Sequence, residues 1–123
     1  MSSKLILHVE DNQYNRKIIR DLLSRNGYDI VEAHNGEAAL EVLARRCPDL
    51  ILMDVQLPKL SGLEATRRIR ANPLLAEIPV IAITSFALSG DDRLAFEAGC
   101  NAYIAKPFRP RELLEMIRGF LGS

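Results

Sequence analysis

The stretch that decides the fold is residues 50–54, Leu-Ile-Leu-Met-Asp. Its first four residues are apolar, and an unbroken apolar run of this length is typical of a strand that is buried on both faces of a parallel sheet. Residues 5–9, Leu-Ile-Leu-His-Val, and residues 80–83, Val-Ile-Ala-Ile, have the same character. A polar residue that begins a turn follows each run. The sequence therefore predicts three central strands.

Segments with helical spacing of apolar residues lie between and after these runs. They begin after Asn12, near Asn35, at about Ser61, at about Gly90 and after Pro110, and the third and fourth end near Ala71 and Ala98. Two weaker strands, residues 29–33 and 102–105, complete five alternations of strand and helix. Such alternation requires a parallel sheet with helices on both faces. The predicted fold class is therefore α/β.

The composition of the 123 residues excludes several functions. Sixteen basic residues balance sixteen acidic ones, so the chain lacks the basic surface of a nucleic-acid-binding protein. No run approaches the roughly 20 apolar residues of a membrane span. Cys47 and Cys100 have no CxxC spacing, which favours reduced thiols and a cytoplasmic protein. We expect a single domain over residues 1–123 with no output domain, no direct contact with nucleic acid and no membrane insertion.

Polar residues at the ends of the predicted strands define a candidate site, because ligands of such sheets bind outside the carboxyl ends of the strands. These residues are Glu10, Asp11, Asp54, Thr84 and Lys106. Crowded carboxylates raise one another's pKa values unless a cation is present. Mg²⁺ fits this need, since it is held by one or two carboxylates together with water and phosphate oxygens.

A lysine and a threonine hydroxyl beside such carboxylates suit the oxygens of a phosphoryl group. Asp54 is the candidate nucleophile, because it follows the most apolar strand and an aspartate can form an aspartyl phosphate. Glu10 and Asp11 are adjacent and suit a metal. They are also suited to capping the helix that follows, and that interpretation stays open.

Together these residues resemble the receiver domain of two-component response regulators, over the whole chain. The matching pieces are Glu10-Asp11, Leu52-Met53-Asp54, Leu57-Pro58, Ser61-Gly62, Thr84 and Lys106-Pro107. Residues 9–12, Asn15 and residues 84–91 are similar to the subgroup that contains hybrid-kinase receivers and the single-domain DivK regulators of cell division. The resemblance implies a doubly wound, flavodoxin-like (βα)5 sandwich whose five-stranded parallel sheet has the order 2-1-3-4-5.

The resemblance also implies roles for the acidic residues. Asp54 would accept a phosphoryl group from a histidine kinase or a histidine phosphotransfer protein. Asp11 and Asp54 would bind Mg²⁺ directly, with Mn²⁺ as an alternative ion. Glu10 would act mostly through water, and the backbone carbonyl of Gln56 would supply a further oxygen.

Thr84 would hydrogen-bond the phosphoryl group and Lys106 would pair with it, with a cis bond expected between Lys106 and Pro107. Tyr103 matches the family's switch aromatic. Together with Thr84, it would relay phosphorylation to a face built by the fourth helix, the fifth strand and the fifth helix, where a downstream protein binds. The protein would then be a switch rather than a turnover enzyme, and a monomer or a weak dimer.

Three alternative functions remain. The domain could pass its phosphoryl group on to a histidine phosphotransfer protein, which the sequence does not separate from the switch. A flavodoxin-like electron carrier would need a phosphate loop where residues 10–13 stand, and a phosphohydrolase of the haloacid dehalogenase type would need a DxD motif. Gln56 and Phe86 are the positions expected to set the lifetime of the phosphorylated state.

Three features depart from these patterns or stand outside them. Glu10 replaces the aspartate that usually begins the acidic pair of the family. His8 replaces an aliphatic residue of the first strand, where we expect a hydrogen-bonded core histidine. Arg67, Arg68 and Arg70 form a basic cluster whose simplest interpretation is a solvated helix face.

Overall fold

The computed structural model describes residues 3–57, 60–85 and 91–122, except for the side chains of residues 91 and 92. Strands and helices alternate along these residues. The strands are β1 (Leu5–Val9), β2 (Asp29–Ala33), β3 (Leu50–Asp54), β4 (Val80–Thr84) and β5 (Ala102–Ala105). The helices are α1 (Gln13–Arg25), α2 (Gly36–Leu43), α3 (Gly62–Ala71), α4 (Asp91–Ala98) and α5 (Pro110–Leu121).

The strands form one parallel sheet in the order β2-β1-β3-β4-β5. The predicted fold class and strand order are therefore confirmed. The chain turns outward in both directions from the β1–β3 pair, which is the point at which such sheets bind their ligands.

Side-chain caps explain where three of the helices begin. The side-chain oxygen of Asn12 accepts hydrogen bonds from the backbone N–H groups of Tyr14 and Asn15 at the start of α1. Asn35 caps α2 and Ser61 caps α3 in the same way. The interpretation that Glu10 or Asp11 caps α1 is therefore wrong, and both carboxylates remain available to the site.

Strands β3 and β4 are each one residue longer than the apolar runs that predicted them. Asp54 lies opposite Ile83, and Thr84 lies opposite Ala105. Both polar residues are therefore the last residues of their strands, not the first of the loops that follow. Ladder pairing continues to these residues and fixes their backbones, which matters for the site that they form.

Two apolar layers cover the sheet. The layer on one face includes Leu7 and Val9 of β1 and residues of α2, α3 and α4. The layer on the other face includes Ile6 of β1 and residues of α1 and α5. His8 and Glu10 alternate with Leu7 and Val9 along the chain, so their side chains belong with Ile6 on the α1/α5 face.

The structure also tests the predictions for the cysteines, the basic cluster of α3 and membrane-spanning segments. Both cysteines are free, with Cys47 exposed and Cys100 buried. The interpretation of the basic cluster holds only for Arg67 and Arg68, which are exposed and pair with Glu64. It is wrong for Arg70, which is half-buried and hydrogen-bonds the backbone. Of the helices described, none is long and apolar enough to cross a membrane.

Candidate metal and phosphoryl site

Three carboxylates meet at the carboxyl edge of the sheet. Glu10, Asp11 and Asp54 each offer one oxygen, and these three oxygens all lie within 4.8 Å of one another. Glu10 and Asp54 are buried, whereas Asp11 is exposed. The tertiary structure thus brings together the acidic residues that the sequence predicted at two separate strand ends. We call these three residues the acidic cluster.

Lys106 reaches the acidic cluster from the end of β5. Its Nζ atom lies 3.0 Å from Oε1 of Glu10 and 3.3 Å from Oδ2 of Asp54. The Lys106 backbone N–H donates to the carbonyl of Thr84, which continues the β4–β5 pairing. The peptide bond between Lys106 and Pro107 is cis, as predicted. One ammonium group therefore serves two buried carboxylates.

Burial and mutual repulsion separate the pKa values of these two carboxyls. Burial, together with the contact with Glu10, raises the pKa of Asp54 to about 6. Burial alone would also raise the pKa of Glu10, but its hydrogen bonds with Asp54 and Lys106 outweigh this effect and hold the pKa at about 2. Two carboxyls that are close together and buried ionise together only with difficulty. A cation placed between them would remove this conflict.

Burial and the neighbouring carboxylates act on the pKa of Lys106 in opposite directions. Burial would lower it, but the contacts with Glu10 and Asp54 outweigh burial and raise it. The side chain is therefore a cation at neutral pH. A cation that is held by two carboxylates can also pair with the oxygens of an incoming anion.

Two backbone features fix Asp54. Its Oδ1 atom accepts a hydrogen bond from the backbone N–H of Gln56 at 2.9 Å. The Asp54 carbonyl oxygen packs so closely against Gly62 that a Cβ atom at position 62 would lie only 2.1 Å from it. In the sequence, Gly62 is only one part of the resemblance to the family. Its physical role is to let the start of α3 pass directly over the end of β3.

Arg16 is a contact that sequence reasoning missed. Its Nη1 atom donates to the backbone carbonyl of Glu10 at 2.8 Å, from the second turn of α1. The same loop is held by Asn12, whose backbone N–H points to Oε2 of Glu10 at 3.4 Å. The position of Arg16 in the sequence does not single out a partner for its side chain. Only the folded loop shows that this partner is the Glu10 carbonyl.

The other predicted residues lie around the acidic cluster. Thr84 is fully buried at the end of β4. Tyr103 on β5 is half-buried and packs against the α2/α3/α4 layer. The side chain of Gln56 is exposed, and its carbonyl as a metal ligand stays a prediction. Pro58 and Phe86 lie outside the described residues.

His8 lies beneath the site on β1. Only 1% of its surface is exposed, so its placement in the core is confirmed. Burial lowers the pKa of His8 to about 4, and the charges of Lys106 and Arg16 add to this effect while Glu10 opposes it. The expected hydrogen bond is not present at Nδ1, which has no partner among the residues described. His34, by contrast, is exposed.

Residues 6–118 match the response regulator receiver domain. The chain belongs to this family. The receiver assignment therefore replaces the flavodoxin and phosphohydrolase alternatives.

Similar proteins agree with this assignment. The receiver is 44% identical to the polar-differentiation response regulator DivK of Brucella anthropi, over 98% of both chains. It is 40% identical to the receiver domain of the sensor histidine kinase PA1611 of Pseudomonas aeruginosa, with a TM-score of 0.92 over 99% of this chain and 100% of that one. That domain holds a magnesium ion in its active site cleft. A putative response regulator of Chloroflexus aurantiacus has a TM-score of 0.94 at 31% identity, over 99% of this chain and 100% of that one.

Proposed function

We propose that this receiver accepts a phosphoryl group on Asp54 from a histidine kinase or a histidine phosphotransfer protein. The observation that carries the proposal is the pairing of the Asp54 carboxylate with Lys106, 3.3 Å away, inside a cluster of further carboxylates. A carboxylate that needed only to be solvated or paired would not be buried beside two others. The Asp54 carboxylate instead has the surroundings of a nucleophile, in which neighbouring charges alter its pKa.

The proposed transfer is an in-line displacement. A carboxylate oxygen of Asp54 forms a bond to phosphorus while the bond from phosphorus to the donor's imidazole nitrogen breaks, and the nitrogen keeps the bonding electrons. Lys106 neutralises charge on the phosphoryl oxygens as they approach. The Thr84 hydroxyl is proposed to donate a hydrogen bond to one of these oxygens.

The donor set fits a hard divalent cation. Glu10, Asp11 and Asp54 offer only oxygen atoms, and their separation within 4.8 Å is small enough for one ion to contact or bridge them. We propose that Asp11 and Asp54 hold Mg²⁺ directly, with the carbonyl of Gln56 as a further ligand and Glu10 acting through water. When bound, this ion would neutralise the carboxylates and the phosphoryl oxygens together.

The output is proposed to be a change of protein-binding surface, not catalytic turnover. Phosphorylation adds charge and acceptor oxygens at one point in the domain. Thr84 and Tyr103 stand on the adjacent strands β4 and β5 and are proposed to carry the change to the α4-β5-α5 face. A downstream protein would bind this face differently in the two states.

We further propose that residues 1–123 act as one receiver domain. The match to DivK of B. anthropi, which covers 98% of that protein as well, supports this proposal. A phosphotransfer role, in which Asp54 passes its group on to a histidine, uses the same site. The lifetime of the phosphorylated protein with and without a phosphotransfer protein separates the two roles.

The primary test is phosphate uptake from acetyl phosphate and Mg²⁺, followed by the mass of the intact protein and the acid lability of the adduct. We expect uptake by the native protein and none by Asp54→Asn. Asp21→Asn is the matched control, since Asp21 is an exposed carboxylate on α1 that pairs with Lys17. Chelation of Mg²⁺ should abolish uptake. Undiminished uptake by Asp54→Asn would contradict the proposal.

A further inference from the structure

The guanidinium of Arg16 is used differently from that of the next arginine on α1. Arg20, one turn further on, is exposed and pairs with the carboxylate of Glu32 at 3.2 Å. Arg16 is half-buried, and its Nη1 atom donates instead to a neutral group, the backbone carbonyl of Glu10, at 2.8 Å. The proposed transfer to Asp54 leaves this guanidinium without a chemical role.

The Arg16 guanidinium lies at the amino end of α1. Its side chain runs back along the helix, as long helical side chains do, and reaches a carbonyl six residues earlier in the chain. The dipole of a helix disfavours a positive charge at this end. The placement is therefore explained by the hydrogen bond itself and not by a general attraction to the end of the helix.

The carbonyl that accepts this hydrogen bond belongs to the peptide group that joins Glu10 to Asp11. A peptide group is planar, so a bond that fixes its carbonyl also fixes the direction in which the chain enters Asp11. The sheet fixes the other side of Glu10, whose backbone N–H donates to the carbonyl of Ala33 at 3.0 Å. Both backbone polar groups of Glu10 are therefore held.

Arg16 also holds the residue that follows Asp11. Its backbone N–H donates to the carbonyl of Asn12 at 3.0 Å, where α1 begins. The side chain and the backbone of Arg16 thus bind the carbonyls of the two residues that flank Asp11. The Asp11 side chain itself is exposed, so packing in the core does not fix it. Its place in the acidic cluster depends instead on the backbone that Arg16 holds.

We propose that Arg16 is a positioning residue of the metal site, which acts through the Glu10 carbonyl to hold the Asp11 carboxylate where it binds Mg²⁺. This inference rests on the Mg²⁺ site proposed above. A ligand group that is already in place loses less conformational freedom when the ion binds. In a loop with several conformations, the apparent affinity falls by the fraction in which Asp11 is correctly placed. Electrostatics alone predicts the opposite effect, since the charge of Arg16 repels Mg²⁺.

The test is the Mg²⁺ affinity of the full chain and its variants, measured by isothermal titration calorimetry. We expect Arg16→Met to bind Mg²⁺ roughly three- to tenfold more weakly than the native protein, as for the loss of one hydrogen bond that holds the loop. Arg16→Lys keeps the charge but shortens the side chain, so its affinity should lie between the two. Arg20→Met is the matched control, because it removes a positive charge from the same helix but a contact with Glu32 instead. Its affinity should equal that of the native protein.

An NMR measurement without metal separates this role from a general loss of stability. The carbonyl ¹³C resonance of Glu10 should shift in Arg16→Met and stay in place in Arg20→Met, since it reports the hydrogen bond at that oxygen. Arg16→Lys gives the same two measurements if Arg16→Met folds poorly. Native or tighter Mg²⁺ binding by the Arg16 variants, or an unchanged Glu10 resonance, would overturn the inference and leave the metal site intact. Absence of Mg²⁺ binding by the native protein would instead contradict the metal site itself, and the inference with it.

Discussion

Two polar clusters stand at opposite edges of the same sheet. At the carboxyl edge, the Lys106 ammonium pairs with Glu10 and Asp54 of the acidic cluster. At the amino edge, the Arg70 guanidinium donates to the carbonyls of Ala76, Ile78 and Gly99 and to the side chain of Asn101. Asn101 in turn accepts from the backbone N–H of Val80 at the start of β4. We call Arg70, Asn101 and these backbone groups the amino-edge cluster.

The difference between the clusters is whether their polar groups are satisfied. In the amino-edge cluster one cation meets neutral acceptors, and its contacts join α3 to the segments that lead into β4 and β5. In the acidic cluster like charges are crowded, and the pKa of Asp54 is raised to about 6 by burial and by Glu10. A satisfied network stabilises a fold, whereas crowded like charges destabilise it until a cation binds. The first cluster is therefore structural, and the second is the candidate binding site.

The largest expected effect tests the amino-edge cluster. Arg70→Met keeps the length of the side chain and removes its donors, which leaves three backbone carbonyls without these partners. We expect the free energy of unfolding to fall by about 2–4 kcal/mol, because hydrogen bonds to a charged group are the stronger kind. Urea denaturation measures the change.

Arg67→Met is the matched control for that variant. Arg67 lies on the same helix but is exposed, and among the described residues it pairs with Glu64 at 3.4 Å. An exposed pair of this kind contributes roughly 0.5 kcal/mol or less. Equal losses in the two variants would show that the contacts of Arg70 are not what distinguishes the amino-edge cluster.

A smaller effect is expected where the backbone supports the acidic cluster. The added Cβ atom of Gly62→Ala would lie 2.1 Å from the Asp54 carbonyl oxygen, so the end of β3 or the start of α3 must shift. We expect a loss of about 2 kcal/mol in stability and slower phosphate uptake from acetyl phosphate. Gly119→Ala in α5 is the control, since a Cβ atom there meets open space. That variant should gain roughly 0.5–1 kcal/mol, and a similar gain in Gly62→Ala would refute the close contact.

The smallest expected effect is a gain in stability. The pKa of Asp54 is about 6 in the folded protein, above its ordinary value of 3.8, so the native carboxyl destabilises the fold as pH rises from about 4 to 6. Asp54→Asn removes this loss. Without metal, the variant should be about 1–2 kcal/mol more stable than the native protein above pH 6 and equally stable below about pH 4.

Denaturation curves from pH 3.5 to 7.5 measure that gain. Asp21→Asn serves as the control, because the hydrogen bond with Lys17 lowers the pKa of Asp21 instead, so its removal brings no gain above pH 6. A constant difference between Asp54→Asn and the native protein across this range would show that repulsion in the acidic cluster is not the cause. Saturating Mg²⁺ should reduce the difference, since it relieves the same repulsion in the native protein.

Sequence reasoning predicted the strands well, because each central strand is a nearly unbroken apolar run with polar residues at its end. It ended β3 and β4 one residue early, since a polar side chain was taken as the start of the loop although the backbone pairing continues to Asp54 and Thr84. It took Arg70 for a solvated residue, because the partners of its guanidinium are backbone carbonyls 6, 8 and 29 residues away. The spacing of residues along a helix does not predict hydrogen bonds from a side chain to backbone carbonyls outside that helix.

The sequence by itself determined the α/β fold and the chemical types at the strand ends, since apolar periodicity and residue identity are local properties of the chain. Only the tertiary structure decided how these groups meet. The sheet brings Lys106 to Glu10 across 96 residues and to Asp54 across 52. It also buries the imidazole of His8. Electrostatic coupling and burial depend on distance in space, and the fold sets those distances.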